Sequence, residues 1–462
     1  MLFNSGTFLI FLFLYLGCFF LTRQSIRGRN WLILGASYLF YAWWDWRFLI
    51  LLVGSSLLDY KIGQWMEKTS TPSARRQWLA ISLAVNLGTL GIFKYFHFVA
   101  DSFQDLANWI GLSLEMPILQ IVLPVGISFY TFQSLSYSMD VYRRKILPVE
   151  DPVAFLAYVS FFPQLVAGPI ERATHLLPQF LSTRTISRDH IQNGLWLITA
   201  GMFKKVVLAD NLGQLADMVF SDGNSVGIMV ALGTIAFGFQ IYCDFSGYSD
   251  IARGVASLLG FELMVNFNLP YFARTPSEFW QRWHISLSTW FRDYVYIPLG
   301  GNRGTSMATM KNLLITMMIA GLWHGAGWNF VFWGLWHGLW LCIMREKQPQ
   351  TLISSVLSWG ITMGIVFYGW LLFRAQSLDQ IISLTQSLFS TQKPSFLGYY
   401  SLSLVTFMAP LVFLQCFQRF GGNLPKVFDS FPPIKMATMA LAIWLIGIYW
   451  KQEGSPFIYF QF

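Results

Sequence analysis

The sequence predicts an all-α, polytopic membrane protein, and three observations carry that expectation. Of its 462 residues, 55% are hydrophobic and 12% charged, where soluble domains run at roughly 25% charged. Phenylalanine and tryptophan are abundant, at 43 and 20 residues. Apolar runs of spanning length recur, and the basic and acidic segments between them alternate as a chain crossing a bilayer requires. The reading is one continuous membrane domain over residues 1–462, with about eleven spanning helices and no soluble module long enough to fold alone. No 20–50-residue period and no inverted halves are visible.

Met1 to Leu21 is long enough to cross about 30 Å of hydrocarbon. It lacks a positive leader region and a small-residue cleavage site, so it reads as an anchor rather than a cleaved signal. Arg23, Arg27 and Arg29 follow, which sets the N-terminus outside and this loop in the cytoplasm. Trp31 to Tyr60 is too long for one span. It is expected to form two short tilted helices broken at Trp43-Trp44-Asp45-Trp46, returning Lys61 to Arg76 to the cytoplasm. Trp78 to Phe98 then crosses outward, and Asp101 to Met116, with Asp101, Asp105 and Glu115 and no lysine or arginine, is expected as an external loop. Ile118 to Met139 crosses back to the inner mark Arg143-Arg144-Lys145.

Pro152 to Ile170 is apolar but ends in Ala167-Gly168-Pro169, which predicts a re-entrant segment. Gln192 to Phe220 and Gly227 to Phe261 are long apolar pieces, expected to be interrupted by Lys204-Lys205 and by CDFSGYSD. Tyr271 to Gly304 interleaves Arg274, Glu278, Arg282, Arg292, Asp293 and Arg303 with Phe279, Trp280, Trp283, Trp290, Phe291 and Tyr294. Such a stretch suits the cytoplasmic interface. Met307 to Met344 forms a broken pair, and Leu352 to Phe373, Ser403 to Phe417 and Ala437 to Trp450 complete the spans. The net charge of +8 belongs to this topology; no basic run is interleaved with the stacking pattern of a nucleic-acid module. Cys18, Cys243, Cys342 and Cys416 are scattered and form no CxxC, so neither a metal cage nor a disulfide framework is expected.

The chemistry concentrates in Ile319 to Gly338, IAGLWHGAGWNFVFWGLWHG, which holds four tryptophans, two histidines and no acid, lysine or arginine. An ionisable residue in such apolar sequence is a functional-site hypothesis. Gly325-Ala326-Gly327 predicts a helix break directly after His324, and irregular backbone at membrane depth survives only beside protein or a water-filled cavity. As a core residue, His324 would bond a carbonyl between helices. As a general base it would accept a proton from a hydroxyl attacking a thioester, because burial keeps the ring neutral.

His337 lies thirteen residues on, about 20 Å along one straight helix, so a metal shared with His324 is poorly supported and a packing or hydrogen-bonding role is preferred. His284 reads as an interfacial histidine or, beside Arg282 and Arg292, as part of a mouth for a phosphate-bearing donor, since guanidinium forks bond two oxygens at once. Asp244 and Asp250 suggest acid–base work less than local pairing, for instance with Arg253. No GxSxG elbow, HExxH or Walker lysine motif occurs, and Gly300-Gly301-Asn302-Arg303-Gly304 follows no soluble strand.

Taken together, IVLPVGISFYTFQSLSY (Ile121 to Tyr137), FFPQLVAGPIER (Phe161 to Arg172), DFSGYSDIARG (Asp244 to Gly254), the run from Asn266 to Arg303, GLWHGAGWNFVFWGLWHG and the terminal FIYFQF from Phe457 resemble the membrane-bound O-acyltransferase family. Within it they are nearest the subgroup that acetylates alginate or moves D-alanine to teichoic acid. The resemblance implies a ring of spanning helices with re-entrant and interfacial helices around a thinned centre, reached by a funnel from each side. It implies His324 and His284 as the catalytic positions. Arg282, Arg292, Trp323 and Asn329 are the substrate-binding candidates, and no metal or permanently bound cofactor is expected.

The activity it implies is O-acetyl transfer in a bacterial cytoplasmic (inner) membrane. Cytoplasmic acetyl-CoA would donate to a hydroxyl of an envelope or extracellular polysaccharide, directly or through a periplasmic SGNH-type partner. Membrane lipids surround the protein, and nucleic acid is not a partner. Within the class, the alternative is D-alanyl or other acyl transfer from a carrier-protein thioester to teichoic acid. Outside it stand a histidine-dependent proton-coupled transporter or flippase, whose inverted repeats and intramembrane acid path are not seen, and a scaffold for other envelope-synthesis proteins.

Overall fold

The computed structural model describes residues 1–22, 24–112, 119, 121–166, 168–221, 226–345, 349–392, 394, 396–420, 432–451 and 456–460. Arg23, Glu115, Ile118, Ala167, Gln461 and Phe462, to which the sequence reading gives topological or motif roles, lie outside them. Every regular element among the described residues is helical, as the apolar composition predicts. Five helices are long and apolar enough to cross a membrane by length and composition: Pro72–Trp109, Ile228–Leu258, Leu352–Arg374, Leu397–Phe420 and Pro432–Tyr449. The chain forms two compact units, residues 1–194 with 255–264 and residues 195–254 with 265–462.

In the first unit, α1 (Gly6–Thr22) and α2 (Ile26–Asp45) are followed by α3 (Leu49–Lys68). The turn between α2 and α3 falls at Trp46–Phe48, at the far edge of the predicted break, and Trp43, Trp44 and Asp45 still belong to α2. Asp45 closes α2 by accepting the Arg47 amide at 3.0 Å, which starts one 3₁₀ turn, Trp46–Phe48. The flanking helices are not short, however; at 20 residues each they run about 30 Å. The expected external loop, Asp101 to Met116, is helical as far as Trp109, and its residues 113–116 lie outside the described ones. α4 (Pro72–Trp109) carries Asp101 and Asp105 and continues past a π turn at Gly91–Tyr95. No glycine or proline interrupts it from Phe96 onward, and it ends just before Gly111, whose φ is 81°.

α5 (Ile127–Tyr142) begins later than predicted, after Gly126 in the left-handed region. α6 (Pro152–Val159) and α7 (Phe162–Leu165) are too short to cross, as a re-entrant segment requires. Phe162 sits edge-on to Phe11 at 5.3 Å and tilts against Phe40 at 5.7 Å. These rings form the centre of an aromatic core.

Two of the basic residues read as cytoplasmic markers turn inward instead. Arg29, fully buried, donates to the carbonyls of Gln179, Phe180 and Ser182 at 3.0–3.3 Å. It thereby satisfies the open end of α8 (Ala173–Leu181). Arg75 does the same for the carbonyls of Val141 and Tyr142 at the end of α5.

α9 (Arg188–Met202) leads into the second unit. It widens into a π segment at Phe203–Ala209 and continues as α10 (Asp210–Phe220), so Lys204-Lys205 distorts the helix without breaking it. CDFSGYSD is likewise no interruption: α11 (Ile228–Leu258) runs straight through it. Its acids are neutralised on the helix wall, where Asp250 meets Lys204 at 2.6 Å and Arg253 at 3.4 Å.

Tyr271 to Gly304 folds as two helices of seven residues, α12 (Pro276–Arg282) and α13 (Ile285–Phe291), with a π turn after the second. α14 (Ser306–His324) and α15 (Trp328–Ile343) form the broken pair that the glycines predict. α16 (Leu352–Arg374), α17 (Leu378–Ser387), α18 (Leu397–Phe420) and α19 (Pro432–Tyr449) complete the unit.

Glycines let α14 and α15 touch backbone to backbone. A Cβ on Gly321 would collide with the Phe330 carbonyl, and one on Gly334 with the Met317 carbonyl, the close approach that small residues permit between membrane helices. Gly334→Ala is therefore expected to destabilise by about 1–3 kcal/mol through overpacking. The readout is the melting temperature of the solubilised protein, with Gly360→Ala as control, because that Cβ meets open space.

Candidate active site

His324 is the last residue of α14. Gly325 and Gly327, both with extended backbone, turn the chain directly into α15. A Cβ on Gly325 would strike the Phe330 ring, so this corner needs glycine for room rather than for handedness. The imidazole stands in an aromatic cage. Its centroid lies 5.0 Å from Trp323, 5.0 Å from Trp333, 5.4 Å from Phe373 and 5.5 Å from Tyr459. Only 4% of the residue is exposed, and that exposed part lines a cavity of about 460 Å³.

One wall of the cavity is a single face of α14: Leu313, Thr316, Met317, Ala320 and His324. Their three- and four-residue spacing is that of a helix stripe, and it measures roughly 17 Å from end to end. Ser288, Thr289, Arg292 and Tyr296 add polar groups to the lining. The cavity therefore unites a nearly buried histidine with a guanidinium along a mostly apolar lining.

His284 lies between α12 and α13 with φ at 41°, in the left-handed region that costs a residue with a Cβ roughly 1–2 kcal/mol. Asn266 holds that corner. Its carbonyl accepts the Ile285 amide at 2.9 Å, and its side chain accepts the Ser286 hydroxyl at 2.9 Å. The His284 ring is wholly buried, edge-on to Phe245 at 4.5 Å, 5.9 Å from Trp323 and 6.4 Å from the His324 ring. Neither of its ring nitrogens has a hydrogen-bond partner among the described residues. A strained, buried imidazole with both nitrogens open is costly unless something it binds completes it.

The remaining candidates divide. Arg292 reaches the cavity while its Nε donates to Asp293 at 2.8 Å. Trp323 touches both histidine rings. Arg282 is engaged elsewhere, donating to one Glu278 oxygen through Nε at 3.1 Å and Nη2 at 2.8 Å, and to the Asn268 carbonyl. Asn329 donates to the Ala375 carbonyl at 2.9 Å, fixing the start of α15 against the end of α16. His337 is buried, stacks on Phe279 at 6.3 Å and lies against Trp333 at 4.9 Å, and neither of its ring nitrogens has a hydrogen-bond partner among the described residues.

Sequence reasoning missed the place of the terminal string. Phe457 and Tyr459 reach into the site, where Tyr459 lies 4.7 Å from Phe245 and 6.4 Å from His284. A buried ionic cluster anchors them. Asp244 accepts the Ile458 amide at 2.9 Å and meets Lys205 at 3.1 Å. Lys205 also meets Asp210 at 2.9 Å and donates to the Pro456 carbonyl at 3.2 Å. The available signal was charge parity: lysine and aspartate inside apolar helices must find each other.

A multi-pass helical protein with a caged histidine facing a cavity fits the class of membrane acyl-transfer enzymes. Residues 149–385 match MBOAT, the membrane-bound O-acyltransferase family, and the chain belongs to that family. It is accordingly an O-acyltransferase.

The chain is 43% identical to the probable alginate O-acetylase AlgI of Pseudomonas aeruginosa, over 84% of this chain and 75% of that one. It is 36% identical to the peptidoglycan O-acetyltransferase of Helicobacter pylori, over 84% and 80%. Its likeness to the teichoic acid D-alanyltransferase of Streptococcus thermophilus is 30%, over 54% of this chain and 68% of that one.

Proposed function

We propose that this protein is an inner-membrane O-acetyltransferase, with its N-terminus outside. It moves acetyl from cytoplasmic acetyl-CoA to a hydroxyl of an envelope or extracellular polysaccharide, directly or through the serine of a periplasmic SGNH-type partner. The observation that carries this reading is His324, nearly buried at one end of a cavity that also holds Arg292. A thioester arm suits a mostly apolar cavity that offers a cation for its phosphate. The acetylases of alginate and peptidoglycan are also matched over more of the chain than the D-alanyltransferase.

In this reading, the neutral His324 ring takes the proton as the acceptor oxygen bonds to the thioester carbonyl carbon. The C–S bond then breaks, and the imidazolium returns the proton to the departing thiolate. The ring sits at the C-terminus of α14, where the helix dipole favours the positive charge it holds in between. His284 assists at the donor side by position or hydrogen bonding, and Trp323 walls both rings. Arg282 and Asn329 serve through the segments they brace.

Donor competition in proteoliposomes tests the reading. Labelled acetyl is expected to pass from acetyl-CoA to the acceptor polysaccharide, with an excess of acylated carrier protein leaving the rate unchanged. Transfer from the carrier-protein thioester and none from acetyl-CoA would sink the donor assignment.

A further inference from the structure

The first unit holds a second polar centre, remote in sequence from the histidines. Asp59 of α3 is fully buried. Its carboxylate accepts from the Ser82 hydroxyl at 2.6 Å, the Asn86 amide at 2.9 Å and the Ser138 hydroxyl at 3.2 Å, gathering α3, α4 and α5. The Ser134 hydroxyl, also fully buried, faces the same carboxylate. One more oxygen stands open here: Asn86 Oδ1 has no hydrogen-bond partner among the described residues, and Asn86 is 2% exposed.

Every group that donates to this carboxylate is neutral, so its charge is solvated but not cancelled. An unbalanced carboxylate in an apolar interior costs several kcal/mol. A proton would cancel the charge while adding one donor for several open acceptors. A cation would cancel it and also take up the open Asn86 oxygen and the lone pairs of the serine hydroxyls. One acid balances one positive charge without surplus, which favours a monovalent ion. Carboxylate, amide and hydroxyl oxygens suit a hard cation. Asn86 also lines a neighbouring cavity of about 190 Å³ with Ser55, Thr89 and Thr131.

We propose that Asp59, with Ser82, Asn86, Ser134 and Ser138, forms a binding site for a monovalent cation of sodium size that fastens α3, α4 and α5 together. The site is independent of the acyl-transfer reading and stands or falls apart from it.

The test is the melting temperature of the full-length protein in nanodiscs, titrated with NaCl at ionic strength held constant by choline chloride. Sodium is expected to raise it along a saturating curve, by several degrees once the ion is far above its midpoint. Asp59→Asn should remove that response. Ser134→Ala, a milder change that keeps the fold should Asp59→Asn unfold, should weaken the sodium midpoint by roughly tenfold. A wild type equally stable in sodium and choline would overturn the site, as would a sodium response that survives in both variants. A stability that follows pH but not sodium assigns a proton to Asp59 and also overturns it.

Discussion

His324→Ala is expected to lower kcat for acetyl transfer by about 100- to 10,000-fold, the usual worth of a positioned general base, while KM for acetyl-CoA changes little. The split follows from the geometry. The walls along Leu313, Thr316, Met317 and Ala320 and the cation of Arg292 remain when the ring is removed, so donor binding survives and proton transfer does not. The measurement is initial rate against acetyl-CoA concentration in proteoliposomes, at matched melting temperature. Unchanged turnover in a folded variant would remove the base assignment. Equal losses in kcat and kcat/KM identify an interaction made only in the transition state.

Lys205→Met should produce the largest loss of stability, about 3–5 kcal/mol, the usual effect of breaking a buried ion pair from one side. Lys205 lies between Asp210 and Asp244, and all three side chains are almost wholly buried. Removing the ammonium leaves two carboxylates facing each other without water. The strap Phe457–Tyr459 loses the Pro456 carbonyl contact at once, so activity should fall even where folded protein is recovered. Lys205→Met combined with Asp210→Asn and Asp244→Asn removes the charges along with their counter-ion and should recover part of the melting temperature but not the turnover. A single variant as stable as wild type would show that the cluster carries no tension.

Much of this was legible before any coordinates. The break after His324 was readable because two glycines within three residues have few other uses in an apolar helix. A turn close to residues 43–46 was readable because aspartate caps helices and tryptophan prefers interfaces, and it falls at Trp46–Phe48. The misreadings share one cause. Lys204, Lys205, Asp244 and Asp250 look like interruptions in a hydropathy scan, but each cancels a charge on another helix, and that pairing is invisible to any local window. Arg29 and Arg75 mislead in the same way, since guanidinium groups counted as loop charge are buried against helix ends. At the site, residue type pointed to both histidines and to Arg292. It could not reveal that Arg282 is held by Glu278 or that Asn329 is held by Ala375, because the first is one of two basic neighbours equally near Glu278 in sequence and the second is a partner distant in sequence.

The π segment Phe203–Ala209 places adjacent lysines so that Lys204 meets Asp250 while Lys205 meets Asp244 and Asp210. A widened turn of this kind amounts to one surplus residue threaded into an α-helix. Excising one residue there would restore regular winding with α9 and α10 still in register, so the loss falls on the lysines, which the wide turn aims at their separate acids. Over these seven positions the tally of residues is therefore guarded more strictly than their identity. Apolar exchanges such as Val206→Ile should be harmless, whereas a lost codon would be ruinous.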